Sequence, residues 1–234
     1  GTCINEGLRE FLRERVEKLV YIDHPFSICN KNRSSVSVFE KGELIKKIYA
    51  PKVRGPEGLF YIKDVLSTFY FILRLKEKYD LYIGIDGLNA FVGLILKKMG
   101  KVKKVVFYTI DYVPRRFKNP LLNRLYHFID RICCYHVDCI WNLSTVMTEA
   151  RINNGLAKER IARQLVVPQG NNYSQAKRLP FEEINRFDVC FMGYLQPGKG
   201  IEFVIDAFPE ICSIVSQAKL VVIGSGPLEP KLKE

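Results

Sequence analysis

Residues 188–227 constrain this chain more than any other stretch. An apolar run, Val189–Met192, stops at Gly193. The loop that follows holds Gln196, Pro197, Gly198, Lys199 and Gly200. Apolar residues then recur at helical spacing (Ile201, Val204, Ile205, Phe208), and a second apolar run, Leu220–Ile223, ends at Gly224-Ser225-Gly226-Pro227. Both runs are short and bounded by glycine, so they read as buried strands, with Cys190 inside one of them. Strand, glycine loop, helix, strand, glycine turn is a crossover unit of a parallel sheet. Its strand tips and helix N-terminus form a place for a phosphate, because unpaired backbone N–H groups and the helix dipole meet there.

The preceding residues repeat the same alternation. From Phe60 a helical pattern (Val65, Phe69, Ile72, Leu75) leads to a strand, Asp80–Ile85, that ends at Asp86-Gly87. A helix from Leu88 to Met99 is stopped by Gly100, and the strand Lys104–Thr109 ends at Ile110-Asp111-Tyr112. A long helix follows from Pro120 to about Val137, then the strand Cys139–Leu143, a helix capped by Ser144, and the strand Gln164–Val167 with its turn Pro168-Gln169-Gly170-Asn171-Asn172. Strands alternating with helices predict a parallel sheet covered on both faces. Upstream lie a helix (Leu8, Phe11, Leu12, Val16), a strand Lys18–Ile22 with His24 near its tip, and a hairpin, Ser35–Phe39 and Leu44–Tyr49, around Glu40-Lys41-Gly42-Glu43. Pro51 to Pro56 is a loop with Lys52 and Arg54. Residues 173–185 are polar and lack periodicity, as a linker would. The fold class is therefore α/β with two domains, 1–180 and 181–234.

Charge divides the chain in the same place. The net charge is +11, but residues 1–180 hold 31 Lys+Arg against 17 Asp+Glu, while residues 181–234 hold 5 against 8. The first part can simply present a solvated lysine-rich surface, or it can meet an anionic membrane face or an anionic substrate. No nucleic-acid motif accompanies the charge. The 7 cysteines (3, 29, 133, 134, 139, 190, 212) match no zinc spacing and read as small apolar residues of a reduced, cytoplasmic protein. No apolar run reaches the roughly 20 residues of a transmembrane helix, and no signal peptide is recognisable. The long helix carries an apolar stripe (Leu121, Leu122, Leu125, Phe128, Ile129, Ile132, Cys133). Arg115, Arg116, Lys118, Arg124 and Arg131 lie before or on it. The stripe can pack on the sheet, or a basic, aromatic rim with Tyr112, Phe117 and Tyr126 can touch a membrane.

The loop Gly193–Gly200, the helix ending at Ala207-Phe208, and Leu220–Pro227 together resemble the start of the donor domain in GT-B-fold glycosyltransferases of the retaining "group 1" type. That pattern is G-R-L-x-x-x-K-G, an aliphatic helix ending in A-F, then L-x-I-x-G-x-G-P. The turn Pro168-Gln169-Gly170-Asn171 is similar to the family's P-N-G-V segment. The resemblance implies two Rossmann-like domains, the second incomplete: an acceptor domain over 1–180 and the start of a nucleotide-sugar domain over 181–234. It implies that Gly193, Tyr194, Lys199, Gly200, Gly224 and Gly226 bind the donor, with Lys199 on its diphosphate. Tyr194 stands where the family places an arginine, and so brings one hydrogen bond in place of a charge. A family histidine-aspartate pair near the acceptor falls at Asp111 and Tyr112, which makes Asp111 the candidate to orient or deprotonate an acceptor hydroxyl. The family's E-x7-E segment, which lies beyond the G-x-G-P turn, is not in this sequence. That and the lack of an initial strand lead us to expect a fragment with weak or no transfer of its own.

The expected function is transfer of a hexose from a nucleoside diphosphate sugar to a hydroxyl acceptor, lipid-linked or within a glycan, with retention and without metal or cofactor. Such an enzyme would work in the cytoplasm, as a soluble protein or at the inner membrane face. Two alternatives come from other classes. One is a non-catalytic module docking on anionic membrane or a partner. The other is a nicotinamide-dependent oxidoreductase, against which no G-x-G-x-x-G follows a first strand.

Overall fold

A computed structural model describes residues 4–24, 33–51, 57–169 and 178–232. Cys3, Cys29, Lys52, Arg54 and the turn residues Gly170, Asn171 and Asn172 lie outside the described residues, as does the start of the expected linker. The chain divides into two compact units, Gly1–Asn172 and Tyr173–Glu234, each described by itself.

The first unit opens with helix α1 (Ile4–Arg13) and a three-stranded antiparallel sheet of β1 (Lys18–Asp23), β2 (Ser35–Glu40) and β3 (Glu43–Tyr49), in the order β1-β2-β3. The β2–β3 connection is the two-residue turn Lys41-Gly42, both at positive φ (49° and 85°), whose twist matches the strands it joins. Helix α2 (Glu57–Leu75) covers this sheet, where Val36, Ala50 and Phe71 form a small core. His24 pins the two together. Its ring nitrogens lie 2.9 Å from Ser34 Oγ and 2.9 Å from Thr68 Oγ1, and Nδ1 lies 3.3 Å from Asp64. Burial alone would raise the Asp64 carboxyl, but His24 and Lys63 outweigh it and hold the group below its usual range.

Four parallel strands form the second sheet in the order β4-β5-β6-β7: Tyr79–Ile85, Val102–Thr109, Cys139–Asn142 and Gln164–Val166. Helices α3 (Gly87–Lys98), α4 (Pro120–His136) and α5 (Val146–Asn153) connect them. All four strands point the same way, so their C-terminal ends share one edge. Asn119 caps α4, its Oδ1 accepting from the backbone N–H groups of Leu121 and Leu122 at 2.9 and 3.3 Å, with Pro120 in the first turn. The expected cap at Ser144 is corrected. The capping position of α5 is Thr145, whose helical φ and ψ aim no side-chain oxygen at the first turn. Val105, Phe107 and Ile140 from the sheet pack with Ala90, Val92 and Leu96 of α3 and Cys133 and Cys134 of α4. Full burial of a side chain such as Phe107 or Ile140 is worth about 1.5–3 kcal/mol. Burial pushes both thiols far above their usual range, as expected of cysteines that serve as core residues.

In the second unit β8 (Asp188–Met192) pairs in parallel with β9 (Lys219–Ile223) through α6 (Ile201–Ile214), and a short α7 (Glu229–Leu232) follows. The strands form where they were expected, but their burial does not follow. Cys190 is exposed, as are Val189, Val221 and Val222, and Met192 is 78% exposed. One crossover helix on a two-stranded sheet leaves most strand side chains without a partner surface. In this unit only Leu195 and Ile201 are fully inside among the described residues.

Candidate functional site

The shared edge of the four-stranded sheet is organised by a residue that sequence reasoning did not single out. Arg151, from α5, is 1% exposed. Its Nε donates to Asp130 Oδ2 at 3.0 Å, and its terminal nitrogens donate to Asp130 Oδ1 (2.8 Å), Asn142 Oδ1 (2.9 Å) and Thr109 Oγ1 (2.9 Å). The guanidinium lies 5.2 Å from the Phe107 ring centroid and 5.1 Å from that of Tyr112. Asn142 in turn donates to Gln164 Oε1 at 2.9 Å. One planar cation thus joins α4 and α5 to the ends of β5 and β6, and through Asn142 to β7. Burial opposes its charge, yet the Asp130 carboxylate more than offsets this and holds Arg151 above its usual range. The pair is 21 residues apart in sequence, and neither partner belongs to a motif.

On this platform sit Asp111 and Asp86. Asp111 is exposed after β5 and accepts from Arg116 at 2.7 Å. Arg116 also stacks 5.5 Å above Tyr126, and its backbone N–H donates to Asn123 at 2.9 Å. Asp86 follows β4. Its φ of 68° and ψ of 162° fall in a region that glycine populates, and its side chain makes no capping bond to α3. Its backbone N–H donates to Tyr108 O at 3.0 Å, which holds it at the strand tips. Burial pushes the Asp86 carboxyl up to about 6; the Asp111 charge adds to this and Arg116 opposes it. A carboxyl that changes charge near neutral pH, beside an ion-paired carboxylate, is equipped to exchange a proton with a hydroxyl. The available signal was D-G at the end of an apolar strand, which had marked only the strand's end.

Tyr112 does not stand free as part of a rim. Its hydroxyl accepts from Asn154 Nδ2 at 2.8 Å, and its ring packs edge-on to His127 with centroids 5.9 Å apart. Tyr126 packs on Phe117 and on His127 in the same manner. The apolar stripe of α4 is split: Cys133 is buried in the core and Ile129 and Ile132 pack against it, whereas Leu121, Leu122, Leu125 and Phe128 are exposed.

In the second unit the loop and the glycine turn meet through the backbone. Gly193 N donates to Ile223 O (3.0 Å), Leu195 N to Ser225 O (2.9 Å) and Leu228 N to Leu195 O (3.0 Å). The approach admits only glycine at two points, since a Cβ on Gly224 would run into Gly193 O and one on Gly226 into Leu195 O. Gly200, at φ 86°, turns the chain into α6, a conformation that costs other residues energy. Gly226 continues the turn beside Leu195. Lys199 is exposed at the start of α6, and its ammonium has no carboxylate partner among the described residues. Tyr194 is half-exposed on the same loop. The six donor-site candidates therefore lie at one end of the β8–β9 pair. Among the described residues no group of three or more His, Cys, Asp and Glu could hold a metal ion.

No protein-family model and no curated protein matches the sequence. Solved structures do share the fold. The catalytic domain of starch synthase IV from Arabidopsis thaliana, bound to ADP and acarbose, aligns with a TM-score of 0.54 at 10% identity, over 92% of this chain and 59% of that one. TarM aligns with a TM-score of 0.55 at 10% identity, over 98% and 56%. A chain of the GtfA/B complex aligns at 0.48 and 12% identity, over 93% and 44%. This chain thus spans about half the length of the structures it matches.

Proposed function

We propose, from the GT-B fold that the chain shares with starch synthase IV and TarM, that it belongs to a glycosyltransferase using a nucleoside diphosphate sugar. In this reading residues 1–180 serve the acceptor and residues 181–234 begin the donor domain. The reaction moves a hexose to a hydroxyl acceptor with retention of configuration and without a metal. The observation that carries the reading is the loop Gly193–Gly200, stitched to Gly224–Pro227, with Lys199 at the start of α6 lacking a carboxylate partner among the described residues. Negative charge grows on the leaving diphosphate as the glycosidic bond breaks. A fixed ammonium and the positive end of a helix stabilise that charge as it develops, without reorganising water. The Tyr194 hydroxyl adds one donor. Starch synthase IV was solved with ADP, and for this chain we infer a ligand of the same chemical class.

At the acceptor side Asp111 orients the hydroxyl while held by Arg116. Asp86 takes up the proton above about pH 6. Two demands of the chemistry, charge relief on the leaving group and proton acceptance from the nucleophile, are in this reading assigned to separate groups. The test is transfer of radiolabelled hexose from a panel of nucleotide sugars, with the protein in its complete natural form. Lys199→Ala is expected to lower turnover by roughly 10²–10³-fold, the effect of removing one preorganised transition-state contact. Unchanged turnover would remove Lys199 from the mechanism.

A further inference from the structure

We propose that the outward face of α4 docks on an anionic lipid bilayer. The helix has two sides with different surroundings. One side, with Asp130, Cys133 and Cys134, is inside the first unit. At 100° per residue, Leu121, Leu125 and Phe128 point nearly opposite to it. Leu121 is 71% and Phe128 60% exposed, and Leu122 and Leu125 are about half exposed. An aliphatic face that no described residue covers costs solubility and is not explained by packing on the sheet.

Cations border this face. Arg124 and Arg131, one heptad apart, run along one side of it, and Arg115 and Lys118 precede the helix. None has a carboxylate partner among the described residues, whereas neighbouring Arg116 is paired with Asp111. Two shallow grooves open between them, of about 290 and 350 Å³, and both are lined by Asn123 and Arg124. Free guanidinium groups beside aliphatic side chains match lipid phosphates beside acyl chains. A protein partner would need acidic groups placed at each arginine, whereas a bilayer supplies the anions as a plane. Among the described residues no helix is long and apolar enough to cross a membrane, so the contact is interfacial.

The proposal goes beyond sugar transfer, and its test contains no nucleotide, so either reading can fail alone. The chain is sedimented with phosphatidylcholine vesicles, with or without about 30% phosphatidylglycerol, at low and high salt. Binding is expected only to the anionic vesicles and to weaken at high salt. Arg124→Glu with Arg131→Glu is expected to weaken it at least tenfold, since each arginine near the surface is worth roughly fivefold. Leu121→Asn with Leu125→Asn is expected to weaken it similarly, with an unchanged melting temperature because both side chains are exposed. No binding, equal binding to neutral vesicles, or variants that bind like the parent would overturn the proposal. So would a concentration-dependent dimer dissolved by Leu121→Asn with Leu125→Asn, which would assign the face to a second copy of the chain.

Discussion

Strands β5 and β9 are both apolar runs of parallel sheets, and they have opposite surroundings. In β5 every residue from Val105 to Thr109 is buried, helices cover it, and its tip is tied to Arg151. In β9 four of five residues are exposed. The first unit is held by side chains, through a core and a buried ion pair. The described part of the second is held mainly by its backbone, through the strand ladder and the three bonds that join its glycine loop to its glycine turn. A loop that must admit a charged ligand closely benefits from small residues and backbone donors. The candidate donor-site loop and the densest packing therefore sit in different units.

The largest expected effect falls on the first unit's ion pair. Arg151→Met leaves Asp130 as a buried carboxylate without its partner, and is expected to cost about 3–5 kcal/mol in urea unfolding. Adding Asp130→Asn should recover much of that loss. A cost below about 1 kcal/mol would mean that packing, and not this pair, holds the sheet edge. The two units can then be compared with one substitution type. Phe107→Ala, inside the core, is expected to cost about 3–5 kcal/mol. Phe203→Ala, on the 78% exposed α6 side chain, should stay within about 0.5 kcal/mol. Equal costs would show that the second unit is sealed in solution.

Next comes the pH dependence at the sheet edge. Burial pushes the Asp86 carboxyl of the folded chain up to about 6 from its ordinary value of 3.8. Between these values the folded state keeps a proton that the unfolded state has lost, so stability falls as pH rises from about 4 to about 6 and stays lower above that. Asp86→Asn is expected to stabilise the protein at pH 7 by about 1–3 kcal/mol, with the gain vanishing near pH 4. A variant less stable than the parent at pH 7 would indicate that the ionised carboxylate has a partner that stabilises it.

Much of the secondary structure was legible, because glycine, proline and apolar periodicity act locally. The hairpin turn Lys41-Gly42, the start of α4 at Pro120 and the run β8–α6–β9 all follow from such signals. Coverage was not legible. An apolar run such as Val189–Met192 specifies a strand, but whether anything packs on it depends on other elements. The same gap split the stripe of α4, whose leucines and Cys133 share one helical pattern and meet opposite surroundings. The candidate site was legible where it is contiguous in sequence, from Gly193 to Gly226. It was not legible where it is assembled from distant polar residues, as with Arg151, Asp130 and Asn142, or where burial alters a common residue, as with Asp86.

The account's central claim is that the glycine loop and Lys199 receive a nucleoside diphosphate. Isothermal titration of this chain with UDP, ADP and GDP tests it most directly. The account predicts saturable binding of at least one of them, weakened roughly 10–100-fold by Lys199→Ala, as expected for loss of one charge-assisted contact. Binding of all three that is unchanged in Lys199→Ala, or no binding to the parent chain, would contradict it.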